Sequence, residues 1–214
     1  MARTALDRIA ATGIVPVVRA PSADLAVQAI DAIRAGGIDV IELTMTVPGA
    51  VPLIRELTTR FGDAVVVGAG TVLDVETARA CLMSGAAFVV SPVLDVAMVE
   101  CCRALGVPVI PGALTPTEIV RAARAAGDVV KVFPCGALGG PAYLRSLLAP
   151  LPNLKLIPTG GVSLKNAGEF FQAGAFAIGV GADLVDIGKI RDGQAGDVTL
   201  AARAYVDEVA RARA

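Results

Sequence analysis

Eight short runs of β-branched and apolar residues recur along this chain, one every twenty-odd residues, and each hands over to a stretch with helical periodicity. The runs cover residues 14–18, 38–43, 65–67, 87–90, 107–110, 129–133, 154–157 and 175–179. Helical spacing follows at 22–36, 50–60, 75–84, 95–105, from Thr115 onward, 141–149, 163–173 and 197–211. Ser22 stands as an N-cap, Gly36-Gly37 as a stop, and Thr115 with Glu118 as a capping box. Neighbouring strands joined through a helix run parallel, because the crossover carries the chain back to the edge it left. Eight such units in 214 residues predict a compact (β/α)8 TIM barrel, preceded by a short amphipathic helix over 3–11. An open, doubly wound sheet is the competing arrangement. No shift in composition marks a second domain, so residues 1–214 read as one barrel domain.

Composition narrows the chemistry. The sequence has no histidine, which removes His-ligated zinc, Ser-His-Asp triads and every imidazole base. Acid–base work then falls to carboxylates, Lys, Tyr or Cys. The four cysteines, Cys81, Cys101, Cys102 and Cys135, lack CxxC spacing and read as free thiols of a reducing compartment. A net charge of −1 with both signs interspersed, and no Trp, argues against a nucleic-acid surface. Gly and Pro break the apolar stretches before they reach the roughly 18 residues of a membrane span. Residues 1–11 carry Arg3, Asp7 and Arg8 and do not read as a secretory signal, so a cytoplasmic protein is expected. Hydrophobic residues make up 55%, which a large core and a buried subunit interface would absorb together.

The sixth run, Val129-Val130-Lys131-Val132-Phe133-Pro134, follows Gly127-Asp128 and puts an ammonium in a strand that a parallel sheet covers on both faces. Loss of hydration there is costly, and a desolvated lysine amine is the kind that attacks carbonyls. The plainer alternative is a lysine that ends its strand and points to water. Alternation puts Val129, Lys131 and Phe133 on one side of the sixth run and Val40, Glu42 and Thr44 on one side of the second. Val15, Val17 and Arg19 share a side of the first. Each ionisable residue falls near the C-terminal end of its strand, where such barrels carry catalytic groups. The second and sixth strands are both even-numbered and feed common interior layers, so Glu42 and Lys131 should approach one another. A pair kept for packing alone is the weaker reading, since a buried ion pair is a poor source of stability. The pattern suggests Schiff-base chemistry: Lys131 attacks a ketone, Glu42 carries protons, and the planar fork of Arg19 holds a carboxylate. That chemistry requires no metal and no organic cofactor.

Thr159-Gly160-Gly161 after the seventh strand and Gly179-Val180-Gly181-Ala182 after the eighth offer backbone N–H groups where this fold often binds phosphate. Tight turns alone would also use these glycines.

Six segments resemble, in order, the motifs of the class I KDPG/KHG aldolases, the 2-dehydro-3-deoxy-phosphogluconate and 4-hydroxy-2-oxoglutarate aldolases. They are Gly36-Gly37 with Ile41-Glu42-Leu43-Thr44, Val67-Gly68-Ala69-Gly70-Thr71-Val72, Val90-Ser91-Pro92, Ile110-Pro111-Gly112, Val130-Lys131-Val132-Phe133-Pro134 and Ile157-Pro158-Thr159-Gly160-Gly161-Val162. The resemblance spans nearly the whole chain. It implies a (β/α)8 barrel, usually a homotrimer, that releases pyruvate and an aldehyde by retro-aldol cleavage. It assigns Lys131 as the imine-forming residue and Glu42 as the proton shuttle. It puts Thr71 at the pyruvyl carboxylate, lines the pocket with Pro92 and Phe133, and turns Gly160 and Gly161 toward a distal phosphate, with Gly181 and Ala182 beside them.

Two departures stand out. Thr46 occupies a position where some members carry an arginine for the substrate carboxylate, and Arg19 is placed to take over that task. Ala182 occupies a position where many members have a phosphate-holding serine, and Asp183 next to it carries the wrong charge for phosphate. The expected substrate is a small 2-keto acid: a 2-keto-3-deoxy-6-phospho sugar acid such as 2-dehydro-3-deoxy-6-phosphogluconate, and/or 4-hydroxy-2-oxoglutarate. An unphosphorylated or galactonate-type acid is the alternative. A phosphosugar isomerase or epimerase on the same barrel, or a non-catalytic assembly module, are the competing classes.

Overall fold

The computed structural model describes residues 4–126 and 129–214. Residues 1–3 and the Gly127-Asp128 boundary of the sixth run lie outside the described residues. The strands are β1 (Ile14–Val18), β2 (Val40–Thr44), β3 (Val66–Gly70), β4 (Val89–Val90), β5 (Val109–Ile110), β6 (Gly112–Ala113), β7 (Val129–Val132), β8 (Lys155–Pro158) and β9 (Ile178–Val180). The helices are α1 (Ala5–Thr12), α2 (Ala23–Ala35), α3 (Ala50–Phe61), α4 (Val75–Met83), α5 (Val96–Ala104), α6 (Pro116–Ala126), α7 (Pro141–Leu148), α8 (Ala167–Gln172), α9 (Ile187–Arg191) and α10 (Ala195–Arg213).

Every pairing is parallel, and the result is an α/β fold with a curled parallel sheet. Six strands follow the order β5-β4-β3-β2-β1-β9, and three follow β6-β7-β8. A parallel bridge from Thr159 to Gly179 links the end of β8 to β9. The fifth run, expected as one strand over 107–110, retains only β5, paired with β4, and a further short strand beyond it, β6, pairs with β7. Pro111 lies between them and has no N–H to give a ladder.

Local signals in the chain account for the helix boundaries. Ser22 Oγ accepts from Leu25 N at 3.3 Å, and Asp24 and Arg34 sit in the first and last turns of α2, where they complement the helix dipole. Thr115 N donates to Glu118 Oε2 at 2.8 Å while Glu118 N donates to Thr115 Oγ1 at 3.4 Å, a reciprocal capping box. The helix expected from residue 163 starts four residues later as α8. Asn166 Oδ1 there accepts from Ser163 N at 2.8 Å, which closes a turn in place of a helical one. The short α9 lacks the length for a recognisable period and is not among the helices expected from periodicity.

Strand alternation divides the apolar residues into two cores. Val15, Val40, Phe88, Val90, Ile110, Val129, Ile157 and Ala177 form an inner one, which Ile9 of α1 joins. Ile14, Ile41, Leu43, Val67, Val89, Val130, Val132, Leu156 and Ile178 face the other way and pack with helix residues such as Ile30, Ile54, Leu144 and Tyr205. Full burial of each such side chain is worth roughly 1.5–3 kcal/mol, which makes these two cores the main source of stability. Glu42 and Lys131 lie two residues beyond Val40 and Val129, so both enter the inner space, above its apolar layers.

Candidate active site

Glu42 and Lys131 are each 2% exposed. Glu42 is in register with Val17 of β1 and Gly68 of β3, and Lys131 with Gly112 of β6 and Ile157 of β8. The two strands are not neighbours, and the pair meets across the inside of the curled sheet, with Nζ 3.7 Å from Oε1. That is an ion pair stretched beyond a hydrogen bond, and Oε1 has no hydrogen-bond partner. A buried carboxylate oxygen with nothing bonded to it is expensive to keep, and an approaching donor would relieve the cost.

Space for Glu42 comes from the next strand. A Cβ on Gly70 would stand 2.2 Å from Glu42 Oε1 and 2.5 Å from its Cγ. Immediately after β3 comes Thr71, with φ of 58°, the one non-glycine residue recorded with positive φ among those described. A β-branched residue held there stores about 1–3 kcal/mol of strain, a feature that collects at ligand-binding positions.

The ring of Phe133 is centred 5.4 Å from Lys131 Nζ and joins the buried pair to two cavities. One, of about 250 Å³, is lined by Arg19, Phe133, Gly160, Gly161, Gly181 and Ala182, together with Thr159 and Asp183. The other, of about 380 Å³, is lined by Pro92, Phe133, Leu114, Glu118 and Arg121. Thr71 lines neither. Arg19 is exposed, and its Nη1 lies 3.6 Å from where a Cβ of Gly181 would be. Thr46 Oγ1 is 2.7 Å from Thr44 Oγ1, which donates to Val18 O at 2.9 Å. Thr46 is thus bridged through Thr44 to Val18, the residue just before Arg19.

Gly160 and Gly161 have φ of 82° and 80°, the left-handed region that glycine occupies without penalty. Their carbonyls are tied back: Gly160 O accepts from Gly136 N at 2.8 Å, and Gly161 O from Asn166 Nδ2 at 3.0 Å. The N–H groups of Gly161, Val162 and Ala182 have no acceptor among the described residues, so they remain open to a ligand. The contributions of Gly70, Thr44 and Asn166 were not legible in the sequence. Each acts through a neighbour that only the strand register or a loop contact supplies.

A larger cavity, about 730 Å³, opens at the opposite end of the strands beside Arg8, Asp39 and Asp63. Its cation is already engaged, Arg8 Nη2 meeting Asp39 Oδ2 at 2.5 Å and Nη1 donating to the carbonyl of Asp63 at 2.9 Å, with only Nε left without a partner. Size alone therefore does not mark the site.

Known proteins match this architecture along most of its length. The sequence profile described as KDPG and KHG aldolase matches residues 6–200. The 2-dehydro-3-deoxy-phosphogluconate aldolase of Treponema pallidum (strain Nichols) is 39% identical over 166 residues, 78% of this chain and 77% of that protein. The 2-dehydro-3-deoxy-6-phosphogalactonate aldolase of Escherichia coli (strain K12) is 29% identical over 197 residues, 92% of this chain and 96% of that protein. The crystal structure of the Legionella pneumophila KDPG aldolase, with pyruvate captured as a covalent carbinolamine, superposes with a TM-score of 0.87 at 27% identity, covering 95% of this chain and 98% of that one. The protein is an aldolase, a carbon–carbon lyase. Within that class, the chain belongs to the KDPG and KHG aldolase family.

Proposed function

We propose that this protein is a class I aldolase. It cleaves a 2-keto-3-deoxy-6-phospho sugar acid such as 2-dehydro-3-deoxy-6-phosphogluconate, and/or 4-hydroxy-2-oxoglutarate, into pyruvate and an aldehyde. The observation that carries the reading is the buried Lys131–Glu42 pair, whose Oε1 is unpartnered 3.7 Å from the amine. The Lys131 amine adds to the C2 ketone, and loss of water gives an iminium. Glu42 removes the proton of the C4 hydroxyl, the C3–C4 bond breaks, and its electrons flow into the iminium to give an enamine. The aldehyde departs, C3 takes up a proton, and hydrolysis of the imine frees pyruvate and the lysine.

Arg19 and Thr71 serve the carboxylate, Pro92 and Phe133 wall the reacting carbons, and the corners at Gly160, Gly161, Gly181 and Ala182 receive the distal anion. The open N–H groups of Gly161, Val162 and Ala182 support that last assignment. A galactonate-type or unphosphorylated acid is the second reading, favoured by the missing hydroxyl at Ala182. The Thr159–Gly179 bridge supports closure of the sheet into an eight-unit barrel of one domain. A cytoplasmic homotrimer is the assembly that accompanies this reading. No helix among the described residues is long and apolar enough to cross a membrane.

The test is to mix the protein with pyruvate and borohydride and map the reduced adduct. It is expected on Lys131 alone among Lys131, Lys155, Lys165 and Lys189. Lys155 and Lys165 are exposed, and Lys189 is paired with Asp197 at 3.1 Å. An adduct on Lys155, or none at all, overturns the assignment. A panel of phosphorylated and unphosphorylated 2-keto-3-deoxy acids then separates the two readings of the substrate.

A further inference from the structure

Asp183 lines the cavity between the glycine corners, yet its carboxylate is held by other groups. Oδ2 accepts from the backbone N–H of Leu164 at 3.0 Å and from the hydroxyl of Tyr205 at 2.5 Å. Leu164 belongs to the loop that begins at Gly160-Gly161, and Asp183 to the loop that begins at Gly181-Ala182. Tyr205 is fully buried on α10, a helix that packs against α2 and α8. A phenol in that position needs an acceptor, and burial together with the carboxylate pushes its ionisation upward, so it stays a donor. One oxygen therefore ties together both corners and the last helix.

We propose that Asp183 is a positioning residue of the distal anion subsite. By holding Leu164 N–H and Tyr205 O–H on one oxygen, it sets the separation of the two corners that present the Gly161, Val162 and Ala182 N–H groups to the substrate's anionic end. The proposal rests on the assignment of these corners made above. Two physical effects of opposite sign are in play. A carboxylate acting only as a nearby charge repels an anion, so its removal tightens anion binding. A carboxylate acting as a strut holds donors in place, and its removal loosens binding. The strut is expected to prevail, because the charge is already met by two donors and charge-assisted hydrogen bonds are the stronger kind.

The experiment uses the full chain and three variants, Asp183→Ala, Asp183→Asn and Tyr205→Phe, with inorganic phosphate as the probe in calorimetry. Asp183→Ala is expected to weaken phosphate binding about tenfold and to raise KM for a phosphorylated substrate alike, with kcat held within about twofold. Asp183→Asn keeps an acceptor oxygen and loses the charge, and should recover most of the affinity. Tyr205→Phe should fall between. Phosphate binding that is unchanged or tighter in Asp183→Ala overturns the proposal, as does a wild-type protein that does not bind phosphate. Should Asp183→Ala fail to fold by circular dichroism, Tyr205→Phe decides on the same criterion, since it removes a single hydroxyl. Borohydride trapping of pyruvate by the wild type is a separate arm. If it fails, the aldolase reading falls, while the phosphate measurements still judge the strut.

Discussion

Gly70 and Glu42 are diagonal neighbours across the β2–β3 ladder, so close that any side chain at 70 would occupy the carboxylate's place. A Cβ there would lie 2.2 Å from Oε1 and 2.6 Å from Cδ. Gly70→Ala is therefore expected to displace Glu42 from Lys131. Overpacking of this kind destabilises by about 1–3 kcal/mol, visible as a lower Tm. Activity should fall further than the lost folded fraction explains, because the carboxylate proposed as proton carrier has moved. A variant with normal Tm and normal kcat/KM would mean that the carboxylate has room the contact distances deny.

Glu42→Gln keeps the shape of the side chain and removes its basicity. Imine formation with pyruvate should survive in part, while exchange of the pyruvate methyl protons into deuterated water should slow by a factor of about 10² to 10⁴, the usual contribution of a general base. Proton exchange at near wild-type rate would assign the shuttle to another group.

Arg19 is exposed, stands beside Gly181, and follows the residue to which Thr44 and Thr46 are bridged. Arg19→Ala is expected to weaken pyruvate binding by about 1.5 kcal/mol, the low end for a hydrogen bond to a charged group because solvent screens the site. Adding Thr46→Arg to that variant should recover part of the loss. Unaltered pyruvate affinity, together with weaker binding of phosphate, would move Arg19 to the distal end of the substrate.

Burial pushes the Cys81, Cys102 and Cys135 thiols up to about 11 from 9.0. Their folded-state values lie above the unfolded one, so their contribution to stability is complete below pH 9 and is lost as the pH rises toward 11. The slope is at most about 1.4 kcal/mol per thiol per pH unit. Urea midpoints measured near neutrality and again above pH 9 should fall accordingly, and a flat profile between them would contradict the burial of these thiols.

Much of the architecture is local and was therefore legible in the chain itself. The apolar runs became the parallel strands because β-branched residues fit a sheet covered on both faces. Ser22, Thr115 and Glu118 cap the helices they were expected to cap, since capping depends on residues three apart. Alternation likewise sorted Val40, Glu42, Val129 and Lys131 to one side and Ile41, Leu43, Val130 and Val132 to the other.

What alternation leaves undecided is distance. Lys131 comes to 3.7 Å from Glu42 because of the curl of the sheet and the registers Glu42–Gly68 and Lys131–Gly112, which no short window of sequence encodes. The same holds for Asp183. Read by itself it is a negative charge next to the proposed anion site, whereas in the fold Leu164 and Tyr205, the latter twenty-two residues away, turn it into a hydrogen-bonded tie. A charge's role is set by what is packed against it, and that partner is chosen by the tertiary structure.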